Sequence, residues 1–275
     1  MSMDPLELVT FGLAGALTGT IGALLGLGGG VFLVPLLAIG FHLEPRTAVA
    51  ASLVAVIASS SSTTMVNMKR GLVNTPLAFT LLLSTSVGGL AGGTIAQHIS
   101  TRTLYTIFAT TLFAVAIIVT SRSKSRNVID DAVMDIGELG GRVVEDGKTL
   151  SYRMRRLPLA LAVSLVAGAI SGLLGVGGGV IQVPVLNAFC GIPIRVAAAT
   201  SAFMIGPTAA VSAFLYLARG DMDPQITAAV ALGSLPGSIL GAWISRRIAV
   251  RSIKSILATS LILVAIRLSV AAAAM

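Results

Sequence analysis

Charged residues are scarce in this chain, 11% of 275, against 55% hydrophobic residues and a mean hydropathy of +0.94. So apolar a composition excludes an ordinary soluble domain and predicts a membrane protein. Cysteine is nearly absent: Cys190 stands alone, so no internal disulfide can form, and no His, Asp or Glu set of metal-ligand spacing surrounds it. It reads as a small apolar residue. Aromatics are 5% and do not interleave with the basic residues, so the net charge of +8 does not describe a nucleic-acid surface. The basic residues sit at the ends of apolar spans, where they orient helices in a bilayer. No Asp or Glu falls in the middle of a span, which removes the usual carboxylate of a proton relay or tight sodium site. No nucleophile–base pair presents itself, so the sequence predicts neither an enzyme nor a cofactor. The start, "MSMDPLELVT", carries Asp4 and Glu7 where a secretory signal carries Lys or Arg, which predicts that the first apolar segment is retained.

What the sequence does have is glycine, placed twice in one pattern. "LLGLGGGVFLVPLL" (24–37) returns as "LLGVGGGVIQVPVL" (173–186), and a constant offset of 149 carries Gly19 onto Gly168, Pro35 onto Pro184, Arg46 onto Arg195 and Gly92 onto Gly241. Between Gly19–Leu37 and Gly168–Leu186, twelve of nineteen positions are identical. The chain is a duplicated unit, a common plan among transporters. The predicted divisions are a first transmembrane repeat (1–121), a polar linker (122–156) and a second transmembrane repeat (157–275). Each repeat reads as one glycine-interrupted segment followed by three spans of ~20 residues, the length that crosses ~30 Å of hydrocarbon.

Charge decides how the interrupted segments run. If each crosses once, twelve of the nineteen Lys and Arg residues fall on the linker side; if each enters and returns as a hairpin, fifteen do. The positive-inside rule favours the hairpins. The expected fold class is therefore all-α and polytopic, with two inverted four-segment repeats, each headed by a glycine-turn helical hairpin. The linker is then cytoplasmic, both termini lie outside, and the location is the cell inner membrane.

A backbone that reverses at membrane depth is tolerated only inside protein or against a water-filled cavity. Gly28, Gly29 and Gly30, and Gly177, Gly178 and Gly179, supply the positive φ and close approach that a reversal needs. The helices that follow, starting near Val31 and Val180, point free N–H groups and the positive ends of their dipoles at the turns, a ready anion site. Polar candidates near them are Ser52 and Ser59 in "ASLVAVIASSSS", Ser201 at the position matched to Ser52 with Thr200 just before it, and Gln182 after the second turn. Arg46 and Arg195 begin matched spans, placed to draw an anion toward a cavity mouth or to anchor helices at the interface. Glycines repeating every four positions, as in Gly88/Gly92 and Gly233/Gly237/Gly241, read as close packing within the protomer or at a homodimer seam.

The paired motifs, each at the head of a four-segment half joined by a polar loop, resemble the sulfite exporter TauE/SafE family. The resemblance covers the chain outside 122–156. It implies export of small sulfur-containing anions, such as sulfite, thiosulfate or organosulfonates like sulfoacetate, across the cytoplasmic membrane. It places the family's glycine motifs on Gly26, Gly28 to Gly30 and Pro35, and on Gly175, Gly177 to Gly179 and Pro184. The expected partners are a small anionic substrate and the lipid bilayer, with no nucleic acid. Rival readings are a proton- or sodium-coupled importer of the same anions, and a membrane subunit whose basic linker docks a cytoplasmic protein.

Overall fold

The computed structural model describes residues 4–121, 137–145, 148–245 and 250–273. Helix starts are written plainly in the chain, because Asp4, Asn74 and Asp223 accept hydrogen bonds from backbone N–H groups of the first turn, and a proline follows each within two residues. The helices are α1 (Pro5–Leu25), α2 (Gly30–Pro35, continued by a π-helical turn Leu36–Gly40), α3 (Pro45–Met68), α4 (Thr75–Ile95) and α5 (Thr101–Ser121). The second half repeats them as α6 (Leu157–Leu174), α7 (Gly179–Phe189), α8 (Ile194–Arg219), α9 (Pro224–Ile244) and α10 (Val250–Ala273). Eight are long and apolar enough to cross a membrane; α2 and α7 are the short ones. Large apolar side chains such as Leu13, Leu83, Ile117, Phe214 and Leu232 point outward, over half exposed, as a surface meeting lipid requires. The molecule is an all-helical, multi-pass membrane protein.

Where lipid and core are equally apolar, helices associate through close packing, and small residues make it possible. Gly12, Gly15 and Gly19 of α1 lie on Ala229, Val230 and Ser234 of α9, and Gly241 lies on Thr20. In the other half, Gly168 of α6 lies on Thr85 of α4 and Gly92 lies on Ala169. These are the same contacts with the halves exchanged: 19 and 234 become 168 and 85 under the offset of 149. The four-residue glycine spacing is thus used within the protomer.

The contacts also fix directions. Ser234 Oγ donates to Ala55 O (3.1 Å) and Arg70 Nη1 to Ala242 O (3.2 Å), so α3 and α9 run parallel. The counterpart of the second bond, Arg219 Nη1 to Gly93 O (2.8 Å), together with Ser212 Oγ to Gly89 O (3.3 Å), makes α8 parallel to α4. α3 and α8 cross at Ser60 and Gly206, while the end of α3 lies beside the start of α8, so they are antiparallel. Because α1 runs with α9, it also runs with α3, and the segment between α1 and α3 must come back to the end where α1 began. α3 and its match α8 thus point in opposite directions.

The linker departs from a purely helical chain. Strands Gly141–Glu145 (β1) and Lys148–Tyr152 (β2) form an antiparallel hairpin, with Gly141 opposite Tyr152. Alternating "RVVEDGKTLSY" around Asp-Gly is a strong hairpin signal. Asn74 holds this linker to the helices: its amide donates to Leu139 O (3.0 Å) and Tyr152 Oη (3.1 Å), its carbonyl oxygen caps α4 at Leu77 N, and its backbone N–H donates to Thr200 Oγ1 (3.0 Å). Burial raises the Tyr152 phenol above its ordinary value, partly offset by the Asn74 bond. Asn74→Ala is expected to cost about 1–3 kcal/mol and to make the linker arginines sensitive to trypsin, read by limited proteolysis and thermal unfolding.

Cys190, fully buried in the loop after α7, has its thiol pushed up to about 11 by burial. It stays protonated at neutral pH, and the thiolate is the reactive form. Maleimide is therefore expected to label Cys190 only after denaturation.

Candidate functional site

The two glycine turns meet at the centre of the molecule. α3 is 24 residues long, about 36 Å, and Ser52 and Ser59 sit near its middle. Ser52 Oγ donates to Gly175 O (2.8 Å) in the second turn and Ser59 Oγ to Gly28 O (2.9 Å) in the first. Turn carbonyls at mid-depth thus receive donors from a neighbouring helix instead of water. The other hydroxyls of the serine run, Ser60, Ser61 and Ser62, bond back to their own helix. Gly28 and Gly177 both lie against Val56 and Ile205, and Gly30 lies on Gly175 and Val176 while Gly179 lies on Gly26. The two short helices begin at Gly30 and Gly179, one residue before Val31 and Val180, each start lying against the backbone of the other half's glycine turn. Gly28 to Gly30, Val31, Gly177 to Gly179 and Val180 are all buried.

α1 reaches past this level. Gly19 is at the depth of Ser234 and Ala55, and Leu25 lies six residues further, about 9 Å beyond. The chain then doubles back, with Gly22 against Gly29. Gly26, Gly28 and Gly29 have φ of 73°, 80° and 82°, as a reversal requires. The second turn differs: Gly175 and Gly177 have φ of 70° and 67°, but Gly178 has φ −51°. The matched position to Gly22 is Ser171. A side chain thus stands where Gly22 meets Gly29, and Gly178 rests on Ala167, the match of Thr18, without the left-handed conformation.

Beside the first turn, at the linker end, a cavity of about 240 Å3 runs from Asn67, Arg70 and Arg195 down to Gly26. Ala23 to Leu25 form one wall and Ser245 lies near the rim. That volume is below the ~300–1,000 Å3 of sites for drug-sized ligands, which fits a solute of a few heavy atoms. None of its described lining residues is acidic. At the far end the related space is filled. Position 67 matches position 216, and Tyr216, 1% exposed, inserts there. Its hydroxyl donates to Gly172 O (3.2 Å) and Leu173 O (3.4 Å), and the Arg219 guanidinium lies over its ring, 5.8 Å from the centroid. Asparagine at one end and tyrosine at the other leave the linker end open and the far end plugged.

The remaining candidates are dispersed. Arg195 lines the cavity, whereas Arg46 is exposed at the far end and donates to Gln97 O (3.2 Å). Gln182 is buried: Ser201 Oγ donates to its Oε1 (3.1 Å) and its Nε2 lies 3.4 Å from Ser164 Oγ, tying α6, α7 and α8 together. Thr200 receives the Asn74 N–H. Asn67, Arg70 and Ser245 were not singled out from sequence. The signal was Arg70-Gly71 aligning with Arg219-Gly220 at matched helix ends.

A multi-pass bundle of glycine-packed helices, with a short-helix hairpin in each half and a one-sided polar cavity reaching a buried backbone turn, defines a membrane transporter. Residues 11–268 match the sulfite exporter TauE/SafE family. The chain belongs to that family. It is 26% identical to the probable membrane transporter protein YunE of Bacillus subtilis over 92% of this chain and 94% of that protein. It is also 26% identical to a probable membrane transporter protein of Xylella fastidiosa, covering 87% and 85%. A shorter match, 36% identical over 30% of this chain and 18% of the other, is to sulfite exporter TauE/SafE family protein 6 of Arabidopsis thaliana. No solved structure matches the chain.

Proposed function

We propose that the transporter exports a small sulfur-containing oxyanion, such as sulfite, thiosulfate or an organosulfonate, by alternating access. The observation that carries this reading is the asymmetry of the two ends: an arginine-lined cavity open at one, a tyrosine plug at the other. The matched halves, running in opposite directions, act as inverted repeats about a centre in the membrane. The linker end is cytoplasmic and both termini are outside, in the cell inner membrane, which puts fifteen of the nineteen Lys and Arg residues inside. The cavity loads the anion from the cytoplasm, and rocking of the halves about the paired turns closes it and withdraws Tyr216. Gly30 and Gly179 permit that motion because no side chain locks the turns together.

No Asp or Glu lies in the middle of a span, and none is needed for coupling. A potential of ~100 mV, inside negative, favours outward movement of an anion by ~2.3 kcal/mol per charge. In liposomes holding the purified protein, a potassium-diffusion potential at equal pH and sodium on both sides is expected to drive thiosulfate flux toward the positive side. Flux that appears only when a proton or sodium gradient is imposed would establish the coupled importer instead.

A further inference from the structure

We infer that the far ends of α5 and α10 hold an anionic phospholipid, with its phosphate on Arg102 and one acyl chain in the groove between the two helices. This does not depend on which anion is carried. The groove, about 260 Å3, is walled by the start of α5 and the end of α10. On α5 its residues Arg102, Thr106, Ala109 and Phe113 recur at spacings of four, three and four, which makes one stripe along the helix. Arg102 is exposed, and its guanidinium has no hydrogen-bond or ion-pair partner among the described residues. Below it the hydroxyls are all engaged: Thr106 donates to Arg102 O (2.8 Å), Thr110 to Thr106 O (2.8 Å) and Ser269 to Ala265 O (2.9 Å), each on its own helix. None of the described lining residues is acidic. One cation above an apolar slot is complementary to an amphiphile with an anionic head, whereas a hydrophilic anion gains nothing from the slot. From Arg102 to Phe113 is eleven residues, about 16 Å, half of the ~30 Å hydrocarbon thickness. The slot therefore has the depth of one leaflet, the reach of a single acyl chain. A headgroup that also carries an ammonium fits less well, since the groove has no carboxylate to meet it. A second copy of the chain packed through the same groove would set two Arg102 charges against each other. The opposite face of α5, with Phe108 and Leu112, backs the second glycine turn, so the lipid braces the helix behind that turn.

The chain has one tryptophan, Trp243. In a Trp243→Phe background, Phe113→Trp puts a single fluorophore at the inner end of the slot, and Leu83→Trp puts one on α4, at a position 74% exposed, as a control. The full chain should be reconstituted in mixtures of phosphatidylglycerol and phosphatidylcholine, with one or the other brominated in its acyl chains. Quenching then gives the relative affinity of the two lipids at each fluorophore. At Phe113→Trp, phosphatidylglycerol is expected to be favoured at least about five-fold, against less than about two-fold at Leu83→Trp. Arg102→Gln should lower the groove's preference to that of the control, and Arg102→Lys should keep part of it. Arg267, an exposed arginine of α10 that does not line the groove, tests for a general charge effect: Arg267→Gln should leave the preference unchanged. Thermal unfolding shows which variants are folded. Native mass spectrometry of the chain with Trp243 and Phe113 intact should likewise find more phosphatidylglycerol retained by the wild type than by Arg102→Gln. Equal preference at the two fluorophores, a preference that survives Arg102→Gln, or equal retention would overturn the site. So would a Phe113→Trp fluorophore that brominated lipid fails to reach, which would mean that a second copy of the chain covers the groove.

Discussion

Removing the Tyr216 side chain is expected to open the far end. In a Cys190→Ser background, Leu24→Cys, on the wall of the open cavity, should react with a membrane-impermeant thiol reagent added at the linker side. Leu173→Cys, at the matched position, should be inert from the far side, because Leu173 is 8% exposed and its carbonyl accepts from the Tyr216 hydroxyl. With Tyr216→Ala, labelling of Leu173→Cys should rise at least about ten-fold, since deleting a large buried ring leaves a cavity that neighbours only partly fill. Tyr216→Phe keeps the ring and loses only the two hydroxyl bonds, so it should remain sealed. Tyr216→Asn, which copies Asn67, should behave like the alanine variant. Unchanged labelling in a folded Tyr216→Ala protein would show that something other than this ring closes the far end.

The second large effect separates two glycines that the sequence makes equivalent. Gly29 has φ 82°, and a Cβ there would lie 3.0 Å from Thr18 O. Gly178, at the matched place, has φ −51° and would bring a Cβ to 3.1 Å from Ala167 O. Gly29→Ala therefore incurs left-handed strain of about 1–2 kcal/mol and an overpacking cost of about 1–3 kcal/mol. Gly178→Ala incurs only the second, softened by a shift of a few tenths of an ångström. Thermal unfolding should place Gly29→Ala well below Gly178→Ala, by several degrees. Equal losses would mean that the two turns share one conformation. The same reasoning predicts that Gly22→Ser, which imports the second half's residue, destabilises the first turn.

Much of this architecture was legible because membrane helices are simple objects. Length, apolarity, the capping residues Asp4, Asn74 and Asp223, and the prolines after them delimit the spans, and the repeat at offset 149 predicts which contacts come in pairs. The accumulation of Lys and Arg on one side favours hairpin paths for the interrupted segments. What escaped was asymmetry. Ser171 against Gly22 and Tyr216 against Asn67 are single substitutions within a repeat, and only packing shows that one changes a turn and the other fills a cavity. Gly30 and Gly179 allow the backbones of the two turns to touch, and the open volume beside them lies to one side, around Gly26. Within the serine run only Ser59 donates to a turn, on the helix face it shares with Ser52, while Ser60 to Ser62 bond back to their own helix. The β-hairpin was missed although Asp146-Gly147 between alternating residues announces one, because its stretch was read for charge.

The most direct test is tracer exchange of thiosulfate across liposomes containing the purified protein, comparing wild type with Gly30→Leu and Gly179→Leu. These glycines form the contact between the turns, and a leucine at either wedges the two halves apart. The account predicts saturable exchange in the wild type, inhibited by sulfite and by sulfoacetate, and reduced at least about ten-fold in each variant that still folds. Exchange that survives both substitutions, or a folded wild-type protein that moves none of these anions, would contradict it.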